Sequence, residues 1–234
     1  MLYNQGMKKF LRYFSIFEWC LWGASALSIT LAFLLGGEFY TLTLIASLVG
    51  VTALIFLAKG NLIGQLLVIL FSVLYAVVSY QQRYFGEMIT YLGMSLPSAA
   101  VACVSWLKHP SGKGVSEVKI AQMNAKKWLW LCVFALLVTA LFYFVLRALN
   151  TNNLLVSTLS VATSFFAAML MIFRSPYYAV AYAANDIVLI ILWIASCFSS
   201  LAYLPMVICF TAFLFNDGYA FVNWRRMKSR QATN

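Results

Sequence analysis

The chain has 234 residues, of which 64% are hydrophobic and only 9% charged. A soluble domain carries about 25% charged residues, so a water-facing surface is excluded. The long unbroken apolar runs also exclude a β-barrel, whose strands alternate polar and apolar residues. The net charge of +10 is spread between apolar runs rather than gathered on one domain, which excludes a nucleic-acid-binding surface and fits the basic side of a membrane protein.

A stretch of ~20 apolar residues spans the hydrocarbon core of a bilayer as a helix. Eight such spans are predicted, at about 17–36, 38–58, 61–80, 85–107, 127–149, 154–173, 177–198 and 199–222. The first follows Lys8, Lys9 and Arg12 but is of full spanning length and has no small-residue cleavage site, so it reads as a membrane helix and not a signal peptide. Breaks fall at Gly36-Gly37, Gly60-Asn61, Gln81-Gln82-Arg83, Asn150 to Asn153 and Ser175-Pro176. Only Ser199 and Ser200 divide the last two spans. Pro97 interrupts the fourth span and Pro205 the eighth, each a candidate kink.

With the N-terminus in the cytoplasm, the inner side collects Lys8, Lys9, Arg12, Lys59, Lys108, Lys113, Lys119, Lys126, Lys127, Arg174, Arg225, Arg226, Lys228 and Arg230. Only Arg83 and Arg147 fall outside. That asymmetry favours eight spans with both termini cytoplasmic. The long loop at about 108–126 divides the chain into halves. A shift of about 114 residues lays spans two to four on spans six to eight, with Lys59-Gly60-Asn61 opposite Phe173-Arg174-Ser175 and Ser72 opposite Asp186.

The predicted architecture is therefore all-α and transmembrane, eight helices in a 1+3+1+3 order with two parallel three-helix repeats. Its parts are an N-terminal segment with an extra helix at 1–37, a first bundle at 38–107, a loop and linking helix at 108–149, a second bundle at 150–224 and a basic tail at 225–234. Parallel repeats of this kind place a substrate site at their interface near the membrane midplane.

An ionisable side chain inside a membrane marks a functional site by default. Of the six acidic residues, Glu38 and Glu87 are expected near the outer surface, Glu117 in the loop and Glu18 at the start of the first span. Asp186 and Asp217 remain. Helical spacing puts Tyr182, Asp186, Leu189 and Trp193 on one face with Asn185 beside them. Asn216 and Asn223 share a face of the last helix, and Asp217 and Trp224 form a second pair next to it. The competing reading is that these groups make helix–helix hydrogen bonds, worth ~0.6–2 kcal/mol, or that Asp217 pairs with Arg225 or Arg226. Trp19, Trp22, Trp106, Trp128, Trp130 and Trp224 lie near span ends, where an aromatic belt belongs.

No nucleophile–base pair or phosphate-cradling loop is visible, and one histidine, His109, cannot build a metal site. Cys20, Cys103, Cys132, Cys197 and Cys209 all fall inside apolar runs, as buried small side chains do. Neither a cofactor nor an enzymatic activity is predicted. A membrane scaffold is the remaining alternative to a carrier.

The run from Arg174-Ser-Pro-Tyr-Tyr through Asn185-Asp186 to Trp193, with Phe215-Asn216-Asp217-Gly218-Tyr219 and Asn223-Trp224-Arg225-Arg226 to Gln231, resembles the PnuC family of bacterial vitamin transporters. The resemblance runs from about residue 38 onward and is more specific in the second repeat. In the first, Ala102-Cys103-Val104-Ser105-Trp106 stands where a Gly-Trp-Tyr-like ending is expected. It implies a fold similar to the SWEET sugar transporters and facilitated diffusion of nicotinamide riboside, which cytoplasmic phosphorylation traps. Related members carry thiamine, riboflavin or deoxynucleosides. It further implies a bacterial inner membrane location and a homo-oligomer, a trimer. Asn185 and Asn216 match the family's intramembrane asparagines, and Trp193 is the candidate for stacking on the substrate ring. Tyr182, Asp186, Asp217 and Asn223 complete the expected site.

Overall fold

The computed structural model describes residues 13–36, 41–112 and 117–233. The expected inner cations Lys8, Lys9, Arg12 and Lys113, the break residue Gly37, the acid Glu38 and the predicted start of the second span lie outside the described residues. Among the described residues, eight helices are long and apolar enough to cross a membrane. They are α1 (Ile16–Leu35), α2 (Thr41–Ala58), α3 (Leu62–Gln81), α4 (Phe85–Lys108), α5 (Ala125–Ala148), α6 (Leu154–Ile172), α7 (Tyr178–Cys197) and α8 (Leu204–Thr233). Seven of the predicted spans match within a few residues; the eighth, predicted at 199–222, starts later and runs on to Thr233.

Sequence chemistry accounts for the ends. Ser15 and Glu18 form a capping box at the start of α1, and the side chains of Asn61 and Asn124 accept from backbone N–H groups in the first turns of α3 and α5. Ser200 starts the 3₁₀ turn Leu201–Tyr203 that leads into α8. Pro205 therefore sits in the first turn of α8, where proline is tolerated, and starts the helix; the expected kink inside the eighth span is corrected. Pro97 does perturb its helix. Having no N–H, it leaves the helix a donor short, and residues Tyr91–Ser95 just before it form a π turn in which Leu96 N–H donates to Tyr91 O. The basic residues after 224 ride on α8, which continues to Thr233.

Helices α2, α3 and α4 pack as one group of three and α6, α7 and α8 as another. α2 lies against α8 and α4 against α6, which joins the groups along a seam. α5 packs mainly on α6, and α1 against α2 and α8. This packing is consistent with the 1+3+1+3 order.

The repeat is visible in the backbone. Gly60 and Arg174, equivalent under the predicted shift, both adopt a left-handed conformation, with φ of 64° and 54°. The hydrogen bonds match as well: Gly60 N–H to Leu57 O and Asn61 N–H to Phe56 O, against Arg174 N–H to Met171 O and Ser175 N–H to Leu170 O. The connection between the halves clasps both turns. Val118 N–H donates to Gly60 O and Ala121 N–H to Arg174 O, both at 3.1 Å. We refer to this end, which carries Lys59, Lys108, Lys126, Lys127 and Arg174, as the basic end.

α1 is held by a buried ion pair. Lys59 Nζ lies 3.1 Å from Glu18 Oε2, and Tyr219 Oη donates to Glu18 Oε1 at 2.7 Å. Glu18 thus faces protein, as a carboxylate in lipid must.

Close packing sets a test. A Cβ on Gly64 would stand 2.7 Å from the backbone N of Leu57, whereas one on Gly23 meets nothing within 4 Å. Gly64→Ala is expected to destabilise by ~1–3 kcal/mol and lower the thermal midpoint in detergent. Gly23→Ala is expected to leave it unchanged or raise it, since alanine is the better helix former. The opposite order would mean that the turn joining α2 and α3 is not packed as described.

Candidate functional site

A cavity lies in the seam between the two groups of helices. Its free volume in this closed arrangement is about 50 Å³, below the range of small-molecule sites, so the helix groups must part to admit a passenger. α2 contributes Gly50, Ala53, Leu54 and Leu57, and α3 contributes Gln65, Val68 and Phe71. From α4 come Tyr91, Ser95, Ser98 and Ala99. The second group adds Met171, Tyr182, Asp186, Phe213 and Asp217. The π turn belongs to this geometry: Tyr91 and Ser95 are its two ends, and both line the cavity.

The polar groups are few. Ser98 Oγ donates to Ser95 O, and three others keep an open atom. The carboxyl groups of Asp186 and Asp217 lie beside one another, and each residue is only 2% exposed. Asp186 Oδ2 and Asp217 Oδ1 have no hydrogen-bond partner, and neither has Gln65 Nε2. Among the described residues, the only ion pairs are Lys59–Glu18 and Arg230–Glu117. Asp217 is therefore not paired with Arg225 or Arg226. Burying an unpaired polar group costs ~1–3 kcal/mol, and more for a charged one. Two neighbouring carboxyls with open acceptors in an apolar cleft form a site ready for a hydroxyl donor or a cation. The rings of Phe71, Tyr91, Tyr182 and Phe213 offer flat apolar faces around them.

Of the seven residues expected from sequence, the structure brings Tyr182, Asp186 and Asp217 to the cavity. The other four lie outside its lining. Asn185 points to α6, where its Oδ1 accepts from Thr163 Oγ1 at 2.7 Å and Ser164 Oγ at 3.0 Å. Asn216 donates to Ala212 O and, toward α1, to Ser25 Oγ. Asn223 donates to Ala58 O at 2.7 Å, satisfying a carbonyl left open at the end of α2. Trp193 is fully buried one layer away; its Nε1 donates to Tyr75 Oη at 2.7 Å and its ring meets Tyr84 edge-on.

Gln65, Tyr91 and the two serines were not anticipated. Gln65 is the one with a sequence signal, a lone amide inside the apolar run Leu62-Ile-Gly-Gln65-Leu-Leu-Val. Glu87 lies in the first turn of α4, at the end of the span where counting puts it, and α6 closes over it. Gly86 lets the start of α4 approach Ser157 and Leu146, and Glu87 is left 0% exposed. Trp106 and Trp224 are not belt residues. Both are buried, 5.7 Å apart, and Trp224 Nε1 donates to Leu57 O at 2.9 Å.

The cavity is closed at both ends by contacts between the groups. Trp224, Asn223 and Tyr178 all reach the last carbonyls of α2 at the basic end. At the far end, Trp193 bonds Tyr75, Tyr84 Oη bonds Leu192 O and Ser196 Oγ, and Ser160 Oγ donates to Glu87 Oε1.

The chain is similar to known proteins over most of its length. A sequence profile of the family described as nicotinamide mononucleotide transporter matches residues 40–226. A protein of Neisseria mucosa named nicotinamide riboside transporter PnuC is 26% identical over 192 residues, covering 80% of this chain and 73% of its own. One of the same name from Haemophilus influenzae is 25% identical over 191 residues, covering 81% of each chain. The crystal structure of the vitamin B3 transporter PnuC superposes with a TM-score of 0.81 at 24% identity, over 93% of this chain and 94% of that one, and so shares its fold.

Gln65→Leu separates stability from binding. It removes an unpaired buried amide, so the thermal midpoint without ligand should stay level or rise. Affinity for a ligand of the cavity should fall roughly tenfold, the loss of one hydrogen bond in a dry site. Loss of stability with full affinity would place Gln65 in the packing and not in the site.

Proposed function

Because the chain belongs to the nicotinamide mononucleotide transporter family, we propose that it carries nicotinamide riboside across the membrane by facilitated diffusion. The adjacent carboxyls of Asp186 and Asp217 in the aromatic seam cavity carry this reading. N-ribosylation gives the nicotinamide ring a fixed positive charge, and the substrate adds a ribose diol and a carboxamide. The flat ring suits Tyr91, Phe71 and Phe213, with cation–π attraction added to stacking. The carboxyls offset the ring charge and accept from the ribose hydroxyls, and Gln65 Nε2 is free to donate to a substrate oxygen. The single positive charge of the ring is attracted to the carboxyl pair, an attraction that uncharged riboflavin or a deoxynucleoside lacks.

Transport follows from the seam. The two three-helix groups meet around the cavity and are bonded to each other above and below it. Rocking about the site breaks one set of bonds while the other holds, so the passenger is exposed to one side at a time. The hydrogen bonds to be broken are single, each worth ~1 kcal/mol net, and the ring contacts of Tyr75 with Trp193 and Phe210 add to them; differential substrate affinity must offset both. Phosphorylation in the cytoplasm then makes uptake one-way without coupling to an ion. The bacterial inner membrane, cytoplasmic termini and assembly as a trimer belong to the same proposal. The excess of basic residues at one end supports the orientation.

Vesicles reconstituted with the full chain should take up labelled nicotinamide riboside to equilibrium with the outside and no further. Uptake should be unchanged when a protonophore collapses a proton gradient. Accumulation above equilibrium that the protonophore abolishes would replace the uniporter with a coupled carrier, and no uptake above empty vesicles would remove the transport reading.

A further inference from the structure

Glu87 is a buried acid that the central cavity does not use. It lies in the first turn of α4 and is 0% exposed. Its Oε1 accepts from Ser160 Oγ of α6, and its Oε2 has no partner. No lysine or arginine pairs with it; the two ion pairs among the described residues engage other acids.

Its place in the seam gives this acid a role. The far-end closure consists of Tyr75 with Trp193, Tyr84 with Ser196 and Leu192, Glu87 with Ser160, and Asn152 Nδ2 with Gln82 O at 3.3 Å. Every one of these joins the first half of the chain to the second, so all must part when the far end opens. Among the groups then released, Glu87 alone can carry a charge at neutral pH. It stands one helical turn from Tyr91, about 6 Å along the axis, and Tyr91 lines the cavity together with Asp186 and Asp217. Parting the seam thus lines a path of acid, aromatic ring and acid pair.

We propose that Glu87 is an entry subsite for the cationic ring, a second binding position that holds the incoming substrate at the open far end before it passes Tyr91 to Asp186 and Asp217. This rests on the reading of the chain as a carrier of a cationic nucleoside. When the far end closes, Ser160 takes the carboxyl back. A permanent cation partner there would compete with the passenger. A hydroxyl partner caps the group and releases it.

The test compares nicotinamide riboside with its uncharged 1,4-dihydro form in vesicles containing the full chain. E87Q keeps the size and the Ser160 contact and removes the charge. It should raise KM for uptake of the cationic form roughly tenfold and leave uptake of the dihydro form unchanged, while E87D restores much of the difference. Calorimetric affinity of purified E87Q for nicotinamide riboside at the central cavity should match the wild type, which also shows that the variant is folded. Equal losses for both forms, or none, would overturn the proposal and make Glu87 a packing residue. So would a pH dependence of uptake that E87Q abolishes for both forms alike, which would make the proton its partner. These failures leave wild-type transport intact; absence of wild-type binding and uptake would instead remove the function on which the proposal stands.

Discussion

Hydrocarbon solvates no charge, and the placement of the acidic residues follows from that. Five acids are described. Glu18 meets Lys59 and Tyr219, and Glu117 meets Arg230 and Gln231. These two behave as structural acids, with cation and hydrogen-bond donor supplied by the fold. Glu87, Asp186 and Asp217 have no such cation, although the chain carries sixteen lysines and arginines. All three sit in the seam between the helix groups, buried from lipid. A fold with cations to spare leaves its core carboxyls open where a passenger can complete them.

The seam can serve this purpose because the two groups are alike and separately braced. Each has a left-handed turn at its basic end, Gly60 or Arg174, with matching backbone bonds. The connection between the halves bonds to the carbonyl of each turn, and Gln231 at the end of α8 holds it from the other side through Ile120 N–H and Val118 O. These ties keep the halves in register while the contacts across the seam remain single hydrogen bonds and aromatic edges. Within the seam the cavity leans toward the basic end. The far-end closure is a thick layer of Tyr75, Tyr84, Trp193, Ser160 and Glu87, and the other is a thinner one of Trp106, Tyr178 and Trp224 against Leu57.

Most of the fold was legible in the sequence because lipid allows few solutions. Apolar runs fixed eight helices, and charge counts and turn residues fixed the connections. The site was only partly legible. Polar residues in apolar runs were found, but a helix of lipid and protein contacts has no solvent face to show which way each one points. Asn185 and Asn216 each sit one residue from a cavity-lining aspartate and Asn223 six residues beyond Asp217, yet each donates or accepts on a neighbouring helix. Trp193 lies on the face that Tyr182 and Asp186 share, but two turns further out it meets Tyr75 and not the cavity. Counting along the span gave the depth of Glu87 but not its cover, which comes from α6, remote in sequence. Tyr91 and Ser95 enter through a π turn that no apolar periodicity displays.

The account stands on the carboxyl pair as the group that receives the passenger. The direct measurement is a calorimetric titration of the purified protein with nicotinamide riboside, repeated with Asp186→Asn and Asp217→Asn, isosteric changes that keep the cavity's shape. Wild type should bind, and each variant should lose roughly tenfold or more in affinity with its thermal midpoint kept or raised. Wild-type affinity in both variants would mean that the pair holds the helices together and that the passenger binds elsewhere.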